Sequence, residues 1–266
     1  MKTRVISAIV ALIILVPLII VGGTAYNIGV YVIALLGLKE FLDIKATKKP
    51  FPIFIQFMAY VFMTLVILSN EKLLSMDFEL DFRLLAALFI TFLLPVVLYH
   101  DQKKYSINDA FYMMGGLLFL SISMTLLMIV RNIGLEMLIY LLLITTMTDI
   151  FAYVTGMLIG KHKLLEVISP NKTWEGTIGG TIMGVFVSAM FYHTVIDPEF
   201  SKVYLLLISL FLSILGQYGD LVFSAIKRYF GKKDFSNIMP GHGGVLDRLD
   251  SLIFVLLGFV FFVNIL

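Results

Sequence analysis

Apolar runs recur along the chain, each close to the roughly 20 residues that a helix needs to cross the hydrocarbon core of a bilayer. Nine can be marked, at 5–21, 26–42, 53–68, 84–98, 111–130, 135–158, 177–196, 203–215 and 245–266. The pattern predicts an all-α fold, a polytopic bundle of about nine transmembrane helices. The first run follows Lys2 and Arg4 as in a signal peptide, but it is longer than such a core and no A-x-A-like site follows, so an uncleaved helix is expected. Two runs fit less well: the second carries Lys39 and Glu40 near its end, and the eighth passes into a polar stretch.

Composition agrees with this reading, since 60% of the 266 residues are hydrophobic and 14% charged, more apolar surface than a water-soluble domain can hide. The formal charge of +2 is too small to argue for nucleic acid. Its placement says more. With the amino terminus cytoplasmic, sixteen of the 20 Lys and Arg residues fall on inner loops, and only Lys72, Arg83, Arg131 and Lys202 fall outside. An odd number of crossings then puts Leu266 outside. Cysteine is absent, which excludes disulfides, thiolate metal sites and a catalytic thiol. No internal repeat is evident, which weighs against transporters built from duplicated halves.

The halves differ. Residues 1–131 have short, basic inner loops and read as scaffold helices and a place for dimer contacts; a homodimer is expected on general grounds of symmetric assembly. Residues 132–266 contain two long inner loops that collect Gly, Pro, Asn, His and acids, so the chemistry is expected there, on the cytoplasmic side of the inner membrane.

Three polar constellations stand out. Asp149, with Thr145, Thr146, Thr148, Tyr153 and Gly156, lies near the end of the sixth run, where a carboxylate needs a partner or a wet cavity; the alternative is a helix-packing hydrogen bond. In Ser169-Pro170-Asn171-Lys172-Thr173-Trp174-Glu175-Gly176, Thr173 or Asn171 can cap the seventh helix and Glu175 suits its positive end. Lys172 is left over, an ammonium placed where backbone N–H groups already favour a phosphate. In the third, Asp220, Ser224 and Lys227 share one helical face at i, i+4 and i+7, with Arg228 flanking it. Lys232, Lys233 and Asp234 follow, then Pro240 to Asp250. Asp247 and Asp250 project from one face and can share a hard divalent cation. Gly241, Gly243 and Gly244, with His242 among them, permit N–H groups to line a phosphate.

Ser224-x-x-Lys227-Arg228, Lys233-Asp234 and Pro240-x-His242-Gly243-Gly244-x-x-Asp247-Arg248-x-Asp250 together resemble the signature of phosphatidate cytidylyltransferases, also called CDP-diacylglycerol synthases. Ser169 to Gly176, and Asp149 with Tyr153 and Gly156, are similar to that family's upstream segments. Met239 is the one departure noted, and it conserves volume. The motifs cover about 149–250.

The resemblance implies condensation of CTP with phosphatidic acid to CDP-diacylglycerol and pyrophosphate, with a divalent metal, normally magnesium. On that footing Asp220, Asp247 and Asp250 are expected to hold the metal, with Asp149 a further ligand, directly or through water. Lys227, Arg228, Lys233 and Arg248 would balance phosphate charge. Asn171, Lys172, Ser224, His242, Gly243 and Gly244 are expected to bind substrate. Two rivals stand beside this reading: a CTP-using lipid kinase, which needs a general base and releases CDP, and an ion transporter that uses the buried acids Asp149 and Asp220.

Overall fold

The structure, a computed structural model, describes residues 2–69, 82–263 and 265. Lys72 and Leu266 lie outside the described residues, as do the side chains of Lys2 and Arg4. The apolar runs become helices α1 (Lys2–Val21), α2 (Gly23–Ala46), α3 (Ile53–Ser69), α4 (Phe82–Leu98), α5 (Ile107–Ile133), α6 (Leu135–Ile159), α7 (Trp174–Phe191), α8 (Lys202–Tyr229) and α9 (Leu246–Phe259). Among the described residues, α5, α6, α8 and α7 with its π-helical extension Tyr192–Ile196 are long and apolar enough to cross a membrane. α3, α4 and the 9–21 portion of α1 are apolar but shorter. It is a helical membrane protein.

Three elements depart from the sequence expectation. The loop before the seventh helix is an antiparallel ribbon of β1 (Lys163–Leu165) and β2 (Ser169–Thr173), in which Lys163 pairs with Thr173 and Leu165 with Ser169. A purely α-helical description therefore fails here. The ribbon gives backbone groups between two helices a partner that a bare loop would lack. The eighth helix continues to Tyr229, because the polar residues beyond 215 lie on one face and its other faces stay apolar. α9 ends at Phe259 after 14 residues, about 21 Å at 1.5 Å per residue, and turns follow it.

The chain forms two compact units: residues 1–132 with 234–246, and residues 133–233 with 247–266. In the first, α2 buries Tyr26, Val30, Ala34, Gly37, Phe41 and Ile44, a face repeating every three or four residues. Phe41 stacks on Tyr112 of α5, with ring centroids 4.6 Å apart. The start of α5 is a capping box. Ser106 N–H donates to Asp109 at 2.9 Å, and Asp109 N–H to the Ser106 hydroxyl at 3.3 Å. Lys45, 2.8 Å from Asp109, and Lys49 both pair with this carboxylate, so two of the basic residues assigned to inner loops also tie α2 and the segment after it to α5.

In the second unit α6 and α7 lie so close that a Cβ on Gly180 would fall 2.5 Å from the Thr148 carbonyl oxygen. Gly176, Gly180 and Gly184 recur every fourth residue and form the small-residue stripe that lets two membrane helices meet backbone to backbone. Polar ties join both helices to α8: Tyr140 to Ser209 at 2.8 Å, Thr148 to Ser213 at 2.8 Å, and Gln217 Nε2 donating to Thr181 at 2.7 Å.

Candidate active site

These contacts set the positions of three acids in the second unit. Asp149 follows Thr148, whose hydroxyl meets Ser213 and whose carbonyl occupies the space that a side chain at Gly180 would need. Asp220 follows Gly219, where a Cβ would fall 2.7 Å from the Asp250 carbonyl oxygen and 2.8 Å from Phe254 Cβ. Glycine there lets α8 and α9 touch, which carries Asp250 towards Asp220. Asp149 lies within electrostatic range of Lys172 and Asp220, and Asp250 within range of Asp220, Lys227 and Asp149.

Basic groups answer these acids. Lys172, at the end of β2, forms an ion pair with Asp220. Ser224, one turn on, donates to Asp220 Oδ1 at 3.4 Å. Lys227 donates to Asp247 Oδ1 at 2.7 Å, and both side chains are buried. The face read from the i, i+4, i+7 spacing is thus met by a carboxylate from α9 and an ammonium from the ribbon. Thr173 caps α7, its hydroxyl accepting from Gly176 N–H at 3.1 Å, and this fixes the chain one residue after Lys172. Glu175 turns back to the ribbon, accepting from the Lys161 and His162 amides at 3.1 and 3.2 Å and meeting His162 Nδ1 at 2.6 Å.

Other sequence candidates fall at the margin or elsewhere. Asn171, Lys233 and Arg248 are exposed. Arg228 donates to the carbonyls of Ile168, at 3.3 Å, and Lys232, at 2.9 Å, so it ties the turn between β1 and β2 to the segment after α8 as well as adding charge. His242, Gly243 and Gly244 belong to the first unit. There His242 Nδ1 is 2.8 Å from the Ser7 hydroxyl. The N–H groups of His242 and Gly243 both donate to the Met239 carbonyl, at 2.9 and 3.1 Å. Those of Val245 and Leu246 donate to Glu40, each at 2.8 Å. Four amides around the glycine loop therefore already have protein acceptors. Glu40, noted in the sequence only as a blemish in an apolar run, is the residue that reading missed; an acid inside such a run was itself the signal.

Carboxylate oxygens are the donors a hard divalent cation prefers. Four acids, Asp149, Asp220, Asp247 and Asp250, face two ammonium groups, Lys172 and Lys227, so the ionised set carries a surplus equal to the charge of one such ion. Donor chemistry and charge both fit. Among the described residues, no three His, Asp or Glu side chains are already gathered at metal-binding spacing. A groove of about 600 Å³ runs between α7 and α8, lined mainly by apolar side chains that include Ile178, Ile182, Leu210 and Ile214, with Gln217 and Thr181 at its polar part.

The Cytidylyltransferase family matches residues 2–266. The phosphatidate cytidylyltransferases of Staphylococcus haemolyticus (strain JCSC1435) and Staphylococcus saprophyticus are each 37% identical over 256 residues, covering 96% of this chain and 96% of the relative. That of Staphylococcus aureus (strain COL) is 37% identical over 258 residues, with the same shares covered.

Proposed function

Because the chain belongs to the cytidylyltransferase family, we propose that it condenses CTP with phosphatidic acid, giving CDP-diacylglycerol and pyrophosphate for phospholipid synthesis. The observation that carries this reading is the cluster of Asp149, Asp220 and Asp250 interleaved with Lys172 and Lys227. Two polyanionic substrates need their charge balanced and their reacting atoms aligned more than they need a protein nucleophile.

An oxygen of the lipid phosphate forms a bond to the α-phosphorus of CTP. The bond from that phosphorus to its bridging oxygen breaks, and pyrophosphate leaves with the electron pair. The second pKa of a phosphate monoester is about 6, so the nucleophile is already largely dianionic at neutral pH and no general base is required. Lys172 exchanges Asp220 for a substrate phosphate, while Lys227, held by Asp247, presents a fixed charge. Arg228, Lys233 and Arg248 add positive potential at the rim. Asp149, Asp220 and Asp250 would hold magnesium, which when bound supplies charge neutralisation to the triphosphate and the leaving group. The groove between α7 and α8 receives the acyl chains from the membrane. The concentration of Lys and Arg on alternate loops supports a cytoplasmic amino terminus and site, with about nine crossings.

The test uses purified protein in detergent micelles with phosphatidic acid, magnesium and CTP labelled at either the α or the γ phosphate. Label from the α position is expected in the lipid product, and label from the γ position in pyrophosphate. Transfer of γ label to lipid with release of CDP would assign the chain to the kinases instead.

A further inference from the structure

Glu40 lies on α2 with no solvent exposure, inside a run otherwise suited to lipid or to a protein core. Its carboxylate collects three donors: Ser236 Oγ at 2.6 Å and Val245 N–H at 2.8 Å on Oε1, and Leu246 N–H at 2.8 Å on Oε2. All of them belong to the first unit. Two are the backbone amides at the start of α9. The residue just before that helix, where Ser, Thr, Asp or Asn usually caps, is Val245, whose side chain has no acceptor. Glu40 therefore supplies from α2 the cap that α9 cannot supply for itself, and the positive end of the α9 dipole answers its charge.

The surroundings are shaped to this contact. A Cβ on Gly244 would fall 2.5 Å from Glu40 Oε1, so any other residue there would have to displace the carboxylate from its place. One turn earlier on α2, Gly37 receives the fully buried Leu246 side chain, whose Cδ2 would lie 3.1 Å from a Cβ there. Leu246 is thus gripped by its amide and by its side chain, and Asp247, Arg248 and Asp250 follow within the next four residues of α9.

We propose that Glu40 is a positioning residue for the transfer reaction: it occupies the anion site at the start of α9 and fixes the register from which Asp247 and Asp250 project. The proposal rests on the cytidylyltransferase reading. It also assigns the Gly243-Gly244 turn a purpose other than wrapping substrate phosphate, namely clearance for a protein carboxylate. Its carboxylate is taken up by Ser236 and the two amides, so Glu40 acts through α9, and its loss should lower kcat and leave KM nearly unchanged.

The experiment compares wild type with Glu40→Gln, Ser236→Ala and the double variant, measuring kcat and KM for CTP and phosphatidic acid together with hydrogen exchange of the peptide containing Val245 and Leu246. Glu40→Gln should lower kcat about 10- to 100-fold, the scale of a misplaced reacting group, with both KM values within about twofold of wild type. Amide protection at 245–246 should fall, and the double variant should be no worse than Glu40→Gln, because Ser236 acts through the same carboxylate. Wild-type kcat and protection in Glu40→Gln would overturn the proposal, as would a loss confined to KM. If Glu40→Gln does not fold, Ser236→Ala decides: lower kcat and lower protection support the proposal, and wild-type values of both overturn it. A wild-type protein that never transfers the α label refutes the functional reading separately, and the exchange data still show whether Glu40 holds those amides.

Discussion

At the scale of single residues, the buried Lys227–Asp247 pair separates stability from chemistry. Removing one member of such a pair strands the other charge, at a cost of about 3–5 kcal/mol, whereas replacing both with apolar residues is often neutral. Asp247→Asn should therefore unfold at lower temperature in detergent and be inactive. The double variant Lys227→Met, Asp247→Leu should recover most of the melting temperature and stay inactive. Recovered turnover in the double variant would reduce the pair to a packing element. Asp220, Ser224 and Lys227 were legible in the sequence because helical spacing alone places them on one face. Glu40 stood out only as an acid in an apolar run; its amide partners lie 205 and 206 residues away, and nothing local announces them. The ion pair of Lys172 with Asp220 was equally hidden; spacing identified both residues without showing that each is the other's counter-charge.

At the scale of elements, the α6–α7 contact positions Asp149 through Thr148, and it depends on small residues. Gly180→Ala would push a methyl group to 2.5 Å from the Thr148 carbonyl oxygen. Overpacking of this kind costs about 1–3 kcal/mol, so the variant should melt earlier and lose activity. Gly115→Ala, in α5, is the control: nothing lies within 4 Å of the added Cβ. It should hold or raise stability by the helix-propensity difference, about 0.5–1 kcal/mol. Equal melting temperatures in the two variants would show that the α6–α7 approach is looser than described. Hydrophobic periodicity located the helices well where whole faces are apolar. It cut α8 short because the polar face of its second half broke the run, and it overextended α9 because apolar residues continue past Phe259 into turns. The ribbon of β1 and β2 was read as a loop since strands of three and five residues carry too little alternation to register.

At the scale of the whole molecule, an apolar chain without cysteine gathers four acids, Asp149, Asp220, Asp247 and Asp250, and two lysines, Lys172 and Lys227, in the second unit. Composition and long motifs made the membrane class and the family legible. The partition into units was less so: residues 234–246 belong with the amino-terminal helices, because Glu40 and Gly37 hold that segment by contacts distant in sequence. The reaction proposed here requires Asp149, Asp220 and Asp250 to act together on one bound cation. The most direct measurement is the magnesium dependence of the initial rate of CTP incorporation into lipid, for wild type and for Asp149→Asn, Asp220→Asn and Asp250→Asn. The expected result is loss of turnover in Asp220→Asn and, in the other two, a magnesium requirement raised about tenfold or more, the usual cost of a weakened metal site. Wild-type rates at wild-type magnesium concentrations in all three variants would contradict it.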